Sequence, residues 1–367
     1  MKKKNHVVVY DTTLRDGTQG EQVSVTAEEK IKIARRLDEA GFHYVEGGWP
    51  GSNPKDMRFF KLAKRQKYKN MRLAAFGSTR RYGVRPEECE NIQALIEACT
   101  PVVTIFGKSW DLHATEILGV SLEENLDMIG ESVAYLKSRN KEVVYDGEHF
   151  FDGYKHNPAY ALKTVERALN SGADWIVLCD TNGGTMTWEL VDIIKEVKTI
   201  VPAECLGIHV HNDCGLAVAN SIAAVKAGAR MVQGTVNGYG ERCGNADLVT
   251  IIGNVQLKMK GRCLSDESLA NLTPLSRYVS DIVNVPPLNS QPYVGRSAFA
   301  HKGGVHVSAI LKNALAYEHT RPELVGNHQR VVVSDLAGKS NIEYKARELG
   351  ISLGDSDTVS RRVVREI

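Results

Sequence analysis

Polar, glycine-rich segments carry most of the side chains in this sequence that could do chemistry. They are Asp11-Thr12-Thr13-Leu14-Arg15-Asp16-Gly17, Asp146-Gly147-Glu148-His149, Asp180-Thr181-Asn182-Gly183-Gly184, His209-Val210-His211-Asn212-Asp213 and the stretch from Asn237 to Asn245. His209 and His211 are the most informative pair, because residues two apart on a strand point to one face. Two imidazoles joined by a carboxylate from another strand end make a site for a divalent transition metal or similar cation. A pair of hydrogen-bonded core histidines is the plainer alternative. Asp16 is the acidic ligand the pattern favours. Beside it, Arg15 can neutralise anionic oxygen on a metal-bound substrate, since a guanidinium is always charged and matches carboxylate geometry. A mutual surface ion pair between Arg15 and Asp16 is the competing reading. Gly238, Gly240 and Gly244 fall in a G-x-G-x-x-x-G spacing that does not fit a dinucleotide fingerprint. A tight loop delivering the Asn245 amide oxygen as a fourth ligand fits better. Glu148 can act as an acid or base, or orient a ligand or water; His149, Asp152 and Tyr154 follow it unranked.

These segments need elements to position them, and the chain supplies a regular series. Short apolar runs at Val7–Tyr10, Tyr44–Gly47, Arg72–Phe76, Val102–Phe106, Glu142–Asp146, Trp175–Cys179, Leu206–Val210 and Met231–Val236 read as parallel strands buried on both faces. Helical patterns follow them. Thr26 with Glu29, and Ser121 with Glu124, have capping-box spacing. Asn53-Pro54 and Asn157-Pro158 place a cap before a proline at the first helical position. Eight such units match the ~250 residues of a closed (β/α)8 TIM barrel better than an open doubly wound sheet. The fold class expected is α/β, with the chemistry at the C-terminal strand ends. The barrel is expected over residues 1–262. From 263 to 367 the rhythm breaks, and a small, mostly helical accessory subdomain is expected. Its helices are expected over 264–283, Val307–Tyr317 and Tyr344–Leu349, with a polar strand at Arg330–Val333.

Composition narrows the classes of partner. Of 367 residues, 46 are basic and 44 acidic, a net charge of +2, so no global charge favours nucleic acid or membrane. Lys2, Lys3 and Lys4 form one dense basic run, read as a solvated end. No stretch approaches the ~18 apolar residues of a membrane span, and the N-terminus is not a secretory signal. Seven cysteines without C-x-x-C spacing indicate a cytoplasmic chain with neither disulfides nor a cysteine metal site.

Taken together, the strand-end segments resemble the metal-dependent barrels that make and break carbon–carbon bonds. That group includes the 2-isopropylmalate, homocitrate and citramalate synthases and hydroxymethylglutaryl-CoA lyase. Asp11 to Gly17 is similar to its first signature, and His209 to Asn220 to the synthases' second. The segment Val45 to Asp56 is most similar to the bacterial and archaeal citramalate synthases. The resemblance implies a Claisen condensation of acetyl-CoA with a 2-oxo acid, followed by thioester hydrolysis. It implies a divalent cation (Mg2+, Mn2+ or Zn2+) on Asp16, His209, His211 and Asn245, with Arg15 stabilising the alkoxide. Thr181 resembles the hydroxyl that holds the 2-oxo acid carboxylate, and Glu148 the carboxylate facing the condensing carbons. His306 and Tyr317 resemble a pair that completes the site for proton transfer and hydrolysis, reaching a neighbouring subunit, so a homodimer is implied. His301 is an alternative to His306.

Pyruvate is the 2-oxo acid implied, on the route to isoleucine, with 2-oxoisovalerate for a 2-isopropylmalate synthase as the alternative. Phe76 and Phe106 at strand ends disfavour 2-oxoglutarate, which needs a cation at the pocket wall, although His113 lies nearby in sequence. A lyase running in the cleavage direction and a non-catalytic metal-binding barrel are the remaining alternatives. The sequence halts at Val363 to Ile367 in a helical pattern without a stop signal, which reads as a catalytic core cut from a longer protein lacking its regulatory domain.

Overall fold

The structure, a computed structural model, describes residues 6–334, 337–354 and 356–366. The lysine run at 2–4 and Ile367 lie outside the described residues. The chain forms two compact units: the first runs through Ser265 and takes in Tyr278–Val285, and the second holds Asp266–Arg277 and the chain from Pro286 onward.

The first unit alternates strand and helix. Its elements begin β1 (Val8–Asp11), α1 (Ala27–Glu39), β2 (Tyr44–Glu46), α2 (Pro54–Ala63), β3 (Arg72–Ser78), α3 (Glu90–Glu97), β4 (Val102–Lys108) and α4 (Leu122–Ser138). They continue β5 (Glu142–Glu148), α5 (Phe150–His156), α6 (Pro158–Asn170), β6 (Trp175–Asp180), α7 (Thr187–Val197), β7 (Leu206–Val210), α8 (Ala217–Ala227), β8 (Met231–Gly234) and α9 (Leu248–Leu257). All eight strands pair in parallel, and β1 closes on β8 with Val8 opposite Met231, completing the expected TIM barrel. Tyr10, Tyr44, Ala74, Val102, Val144, Val177 and Met231 pack together inside it. Strand β7 contributes Gly207 opposite Val177, where a Cβ would come within 2.9 Å of the valine methyl.

Local signals set the helix starts. Thr26 Oγ1 accepts from Glu29 N at 3.2 Å while the Glu29 carboxylate accepts from Thr26 N at 2.7 Å, a complete capping box. Asn53 and Asn157 cap the two proline-initiated helices α2 and α6. At α4 only half of the expected box forms. Ser121 Oγ accepts from Glu124 N, but the Glu124 carboxylate accepts from Arg80 at 3.0 Å.

Strand ends differ from expectation where they matter most. β4 and β5 run two residues further than their apolar runs, in register to Lys108 opposite Glu148. β8 stops at Gly234, two residues before the expected end, because the following loop folds back on it: a Cβ at Gly234 would lie 2.4 Å from the Ala246 carbonyl. The short helix α5 was not anticipated.

The second unit contains α10 (Asp266–Leu269), the first half of α11 (Leu272–Val283), β9 (Ala300–His301), α12 (Gly304–Ile310), β10 (Arg330–Val331), α13 (Lys339–Glu348) and α14 (Ser356–Glu366). β9 and β10 pair in parallel, and Val307, Ile310 and Val331 form a small core. The continuous helix expected over Val307–Tyr317 is broken. α12 ends at Ile310, Asn313 is extended at φ −157° with its side-chain oxygen accepting from Leu315 N, and a 3-10 turn at Ala314–Ala316 follows. α13 begins five residues before the expected Tyr344. Among the described residues no helix is long and apolar enough to cross a membrane.

Candidate functional site

The turn after β1 aims the chemistry. Asp11 accepts from Thr13 N at 3.0 Å and from Thr13 Oγ1 at 2.6 Å, and that hydroxyl oxygen accepts from Val236 N at 2.9 Å. This aspartate turn bends the chain out of the strand and ties it to the end of β8. Burial pushes the Asp11 carboxyl up to about 7.

Beyond the turn, Asp16 is 2% exposed, with Oδ2 at 3.2 Å from His209 Nε2 and 3.7 Å from His211 Nε2. One ligating atom from each of these three side chains lies within 4.8 Å of the others, so the group could hold a metal ion. Burial alone would raise the Asp16 carboxyl, but Arg15 and then His209 hold it well below the usual carboxylate range. Burial and the neighbouring His209 lower His211 to about 4, which keeps its imidazole neutral and available as a ligand. The two rings stand 5.2 Å apart and converge on Asp16 instead of bonding each other, unlike a hydrogen-bonded core pair.

Asn245 sits across an isolated bridge from His211, buried, with Nδ2 donating to Tyr239 O at 3.2 Å. Its Oδ1 and His211 Nδ1 are buried without a hydrogen-bond partner. An orphaned amide oxygen beside a carboxylate and two imidazoles is a donor set that fits a divalent cation. The glycines around Asn245 serve close approach: a Cβ at Gly244, whose φ is +87°, would lie 2.1 Å from the Gly238 carbonyl.

The groups that hold these side chains carry no motif in the sequence. Gln233 Nε2 donates to Asp146 Oδ1 at 3.0 Å, which turns its oxygen toward His209. His209 Nδ1–H then donates to that oxygen at 2.8 Å, which holds the ring with Nε2 facing Asp16. Burial would lower the His209 pKa, but the Asp16 carboxylate raises it. Glu46, buried at the end of β2, accepts from Arg15 Nε at 2.5 Å and from Tyr10 OH at 2.8 Å. Arg15, half-buried, is therefore clamped by the buried Glu46, with the buried Asp16 3.6 Å away, so the surface ion pair reading is set aside. Its guanidinium lies 3.8 Å over the Phe76 ring, which stacks on Phe106 at 5.5 Å. Trp49 meets both rings edge-on. The signal available for Gln233 and Glu46 was a polar residue inside an otherwise apolar parallel strand.

Arg15, Asp16, Glu148, Thr181, His209 and His211 line one cavity of about 200 Å³, with Trp49, Phe76 and Phe106 as its aromatic wall. Glu148 is ion-paired with Lys108, its register partner on β4. Thr181 Oγ1 accepts from His149 N at 2.9 Å. His149, in the left-handed region at φ +53°, lies with its ring centre 4.3 Å from that of His113 in a tilted pair and reaches Asp152 at 3.3 Å, outside the cavity lining. In the second unit His306 and Tyr317 stack with ring centres 4.2 Å apart, and Tyr317 is 45% exposed. His301 is instead engaged by Glu318 at 3.1 Å.

Comparison with known proteins gives this arrangement a family. The HMGL-like family model matches residues 6–279, and the homocitrate synthase post-HMGL domain-like model matches residues 293–367. The chain is 57% identical to an (R)-citramalate synthase of Geobacter sulfurreducens and 56% identical to one of Aquifex aeolicus. Each match covers 98% of this chain and 68% of the relative. A 2-isopropylmalate synthase of Sulfolobus acidocaldarius is 34% identical over 98% of this chain and 90% of its own. The HMG-CoA lyase of Bacillus subtilis shares the fold, with a TM-score of 0.65 at 19% identity over 77% of this chain and 95% of the lyase. The chain belongs to the HMGL-like family, in the citramalate synthase group of the 2-isopropylmalate and homocitrate synthases.

Proposed function

We propose that the chain condenses acetyl-CoA with pyruvate to give citramalate and free CoA, as an acyltransferase that hydrolyses the thioester. The observation that carries this reading is the convergence of Asp16, His209 and His211 beside the clamped Arg15 in one aromatic-walled cavity. Pyruvate over 2-oxoisovalerate is supported by the higher identity to the (R)-citramalate synthases than to the 2-isopropylmalate synthases.

Asp16, His209, His211 and Asn245 are the residues that would hold a divalent cation, Mg2+, Mn2+ or Zn2+. When bound, the cation supplies Lewis acidity toward the carbonyl and carboxylate of the 2-oxo acid. Arg15 is fixed by Glu46 and permanently charged, so it is preorganised for the negative charge that develops on the carbonyl oxygen as the new bond forms. Thr181 is assigned to the substrate carboxylate. Glu148, held by Lys108, is assigned to the condensing carbons, where a proton must leave the acetyl methyl. Trp49, Phe76 and Phe106 give the reacting carbons an apolar wall. We assign His306 and Tyr317, in the unit after residue 263, to proton transfer and hydrolysis in a homodimer, where a second copy's barrel receives them. A cytoplasmic location accords with a reaction that draws on acetyl-CoA.

Release of CoA thiol from acetyl-CoA tests the proposal, with Mg2+ or Mn2+ and each 2-oxo acid in turn. Pyruvate is expected to be the preferred acceptor. Release with 2-oxoisovalerate far above pyruvate would overturn the substrate, and release with no acid would overturn the reaction.

A further inference from the structure

A larger cavity, of about 350 Å³, lies within the second unit. Three arginines line it from three separate elements: Arg277 from α11, Arg296 from the loop before β9, and Arg330 from β10. His328 joins them. No aspartate or glutamate lines the cavity, and among the described residues none of the three arginines is ion-paired with a carboxylate. This contrasts with Arg15, Arg80 and Arg242, each of which has an acidic partner.

The walls are built, not incidental. Arg330 Nη1 donates to the Arg296 carbonyl at 3.1 Å, which couples two of the arginines. Buried Asn327 donates from Nδ2 to the carbonyls of Tyr293 at 2.9 Å and Gly295 at 3.1 Å, stapling the loop that carries Arg296. Tyr293 is held in the left-handed region at φ +65°, and strain of that kind persists only where surrounding structure fixes it. Converging positive charges without acids repel one another, and a polyanion removes that repulsion. Guanidinium forks match phosphate oxygens. Leu288, 70% exposed at the same cavity, offers an apolar surface for a planar base.

We propose that this cavity is a receptor for the phosphate groups of a nucleotide. The nucleotide is either the phosphorylated adenosine end of coenzyme A or a free nucleotide; only the first source rests on the proposed condensation.

Calorimetric titration of the full chain with 3′,5′-ADP, ATP and inorganic phosphate tests it, in the parent and in the double variant R277Q/R296Q. Both side chains are exposed and free of acidic partners, so the variant is expected to fold with an unchanged melting temperature. A nucleotide is expected to bind the parent, and the double variant to bind it at least about tenfold more weakly. Tighter binding of 3′,5′-ADP, with KM for acetyl-CoA raised and kcat unchanged in the variant, identifies coenzyme A as the source. Tighter binding of ATP with KM unchanged identifies a free nucleotide. Inorganic phosphate binding as tightly as both nucleotides, no binding of any probe, or equal affinity in parent and variant would overturn the proposal. Because titration requires no turnover, it reads out even if condensation with pyruvate is not observed.

Discussion

Replacing Gln233 by methionine removes one amide and keeps nearly the same length, which isolates the device that orients His209. In the parent, Gln233 accepts from His209 Nδ1–H at 2.8 Å and donates to Asp146 Oδ1 at 3.0 Å, all three residues being buried. The variant leaves one buried donor and one buried acceptor unmet, at about 1–3 kcal/mol each, so a stability loss of about 2–6 kcal/mol is expected. More telling is the effect on the cation. With Nδ1–H unheld, neither the tautomer nor the ring orientation that aims Nε2 at Asp16 is fixed, and loss of such an outer partner costs about 10–100-fold in metal affinity. Titration calorimetry with Mn2+ reads the affinity, and scanning calorimetry reads the stability. Gln233→Glu restores an acceptor for Nδ1–H and is expected to recover most of the affinity. A folded Gln233→Met variant that binds Mn2+ within twofold of the parent would exclude an orienting role for Gln233.

Other perturbations probe separate parts of the site. Gly244→Ala puts a Cβ against the Gly238 carbonyl at a φ of +87°, so a loss of about 1–3 kcal/mol is expected, with weakened Mn2+ binding through the adjacent Asn245; an unchanged melting temperature would contradict this. Burial raises the Asp11 carboxyl to about 7, so between roughly pH 4 and 7 the folded state holds a proton that the unfolded chain has lost. Stability therefore falls as pH rises through that window, by up to about 1.4 kcal/mol per pH unit from this group. Denaturant titrations of Asp11→Asn are expected to show a shallower fall, and equal slopes would exclude the effect. Glu46→Ala leaves the Arg15 guanidinium, half-buried over Phe76, without its 2.5 Å partner, and a loss of about 3 kcal/mol is expected in chemical denaturation.

What could be read in the sequence follows a physical divide. The eight strands were visible because parallel strands buried on both faces must be apolar runs, and the ligand candidates because polar residues at their ends have few structural reasons to be there. His209 and His211 needed only the two-residue period of a strand. Gln233 and Glu46 could not be assigned in this way. Their roles depend on which residue stands opposite which, and that register is set by the closed sheet: His209 meets Gln233 across 24 residues of sequence, and Arg15 meets Glu46 across 31. Lys108 was hidden for a related reason, since β4 extends past its apolar run only by pairing with β5 up to Glu148. The break at Ile310 turned on the extended backbone of Asn313, whose side chain offers the following turn a cap that a helical periodicity does not reveal.

The most direct test follows the carbon skeleton. The full chain would be incubated with 13C-labelled pyruvate, acetyl-CoA and Mn2+, and the products resolved by NMR and mass spectrometry. The site geometry and family membership predict citramalate carrying the pyruvate label next to a new carbon–carbon bond, formed one for one with free CoA. Unchanged labelled pyruvate, or a condensation product formed from 2-oxoisovalerate and not from pyruvate, would contradict that prediction.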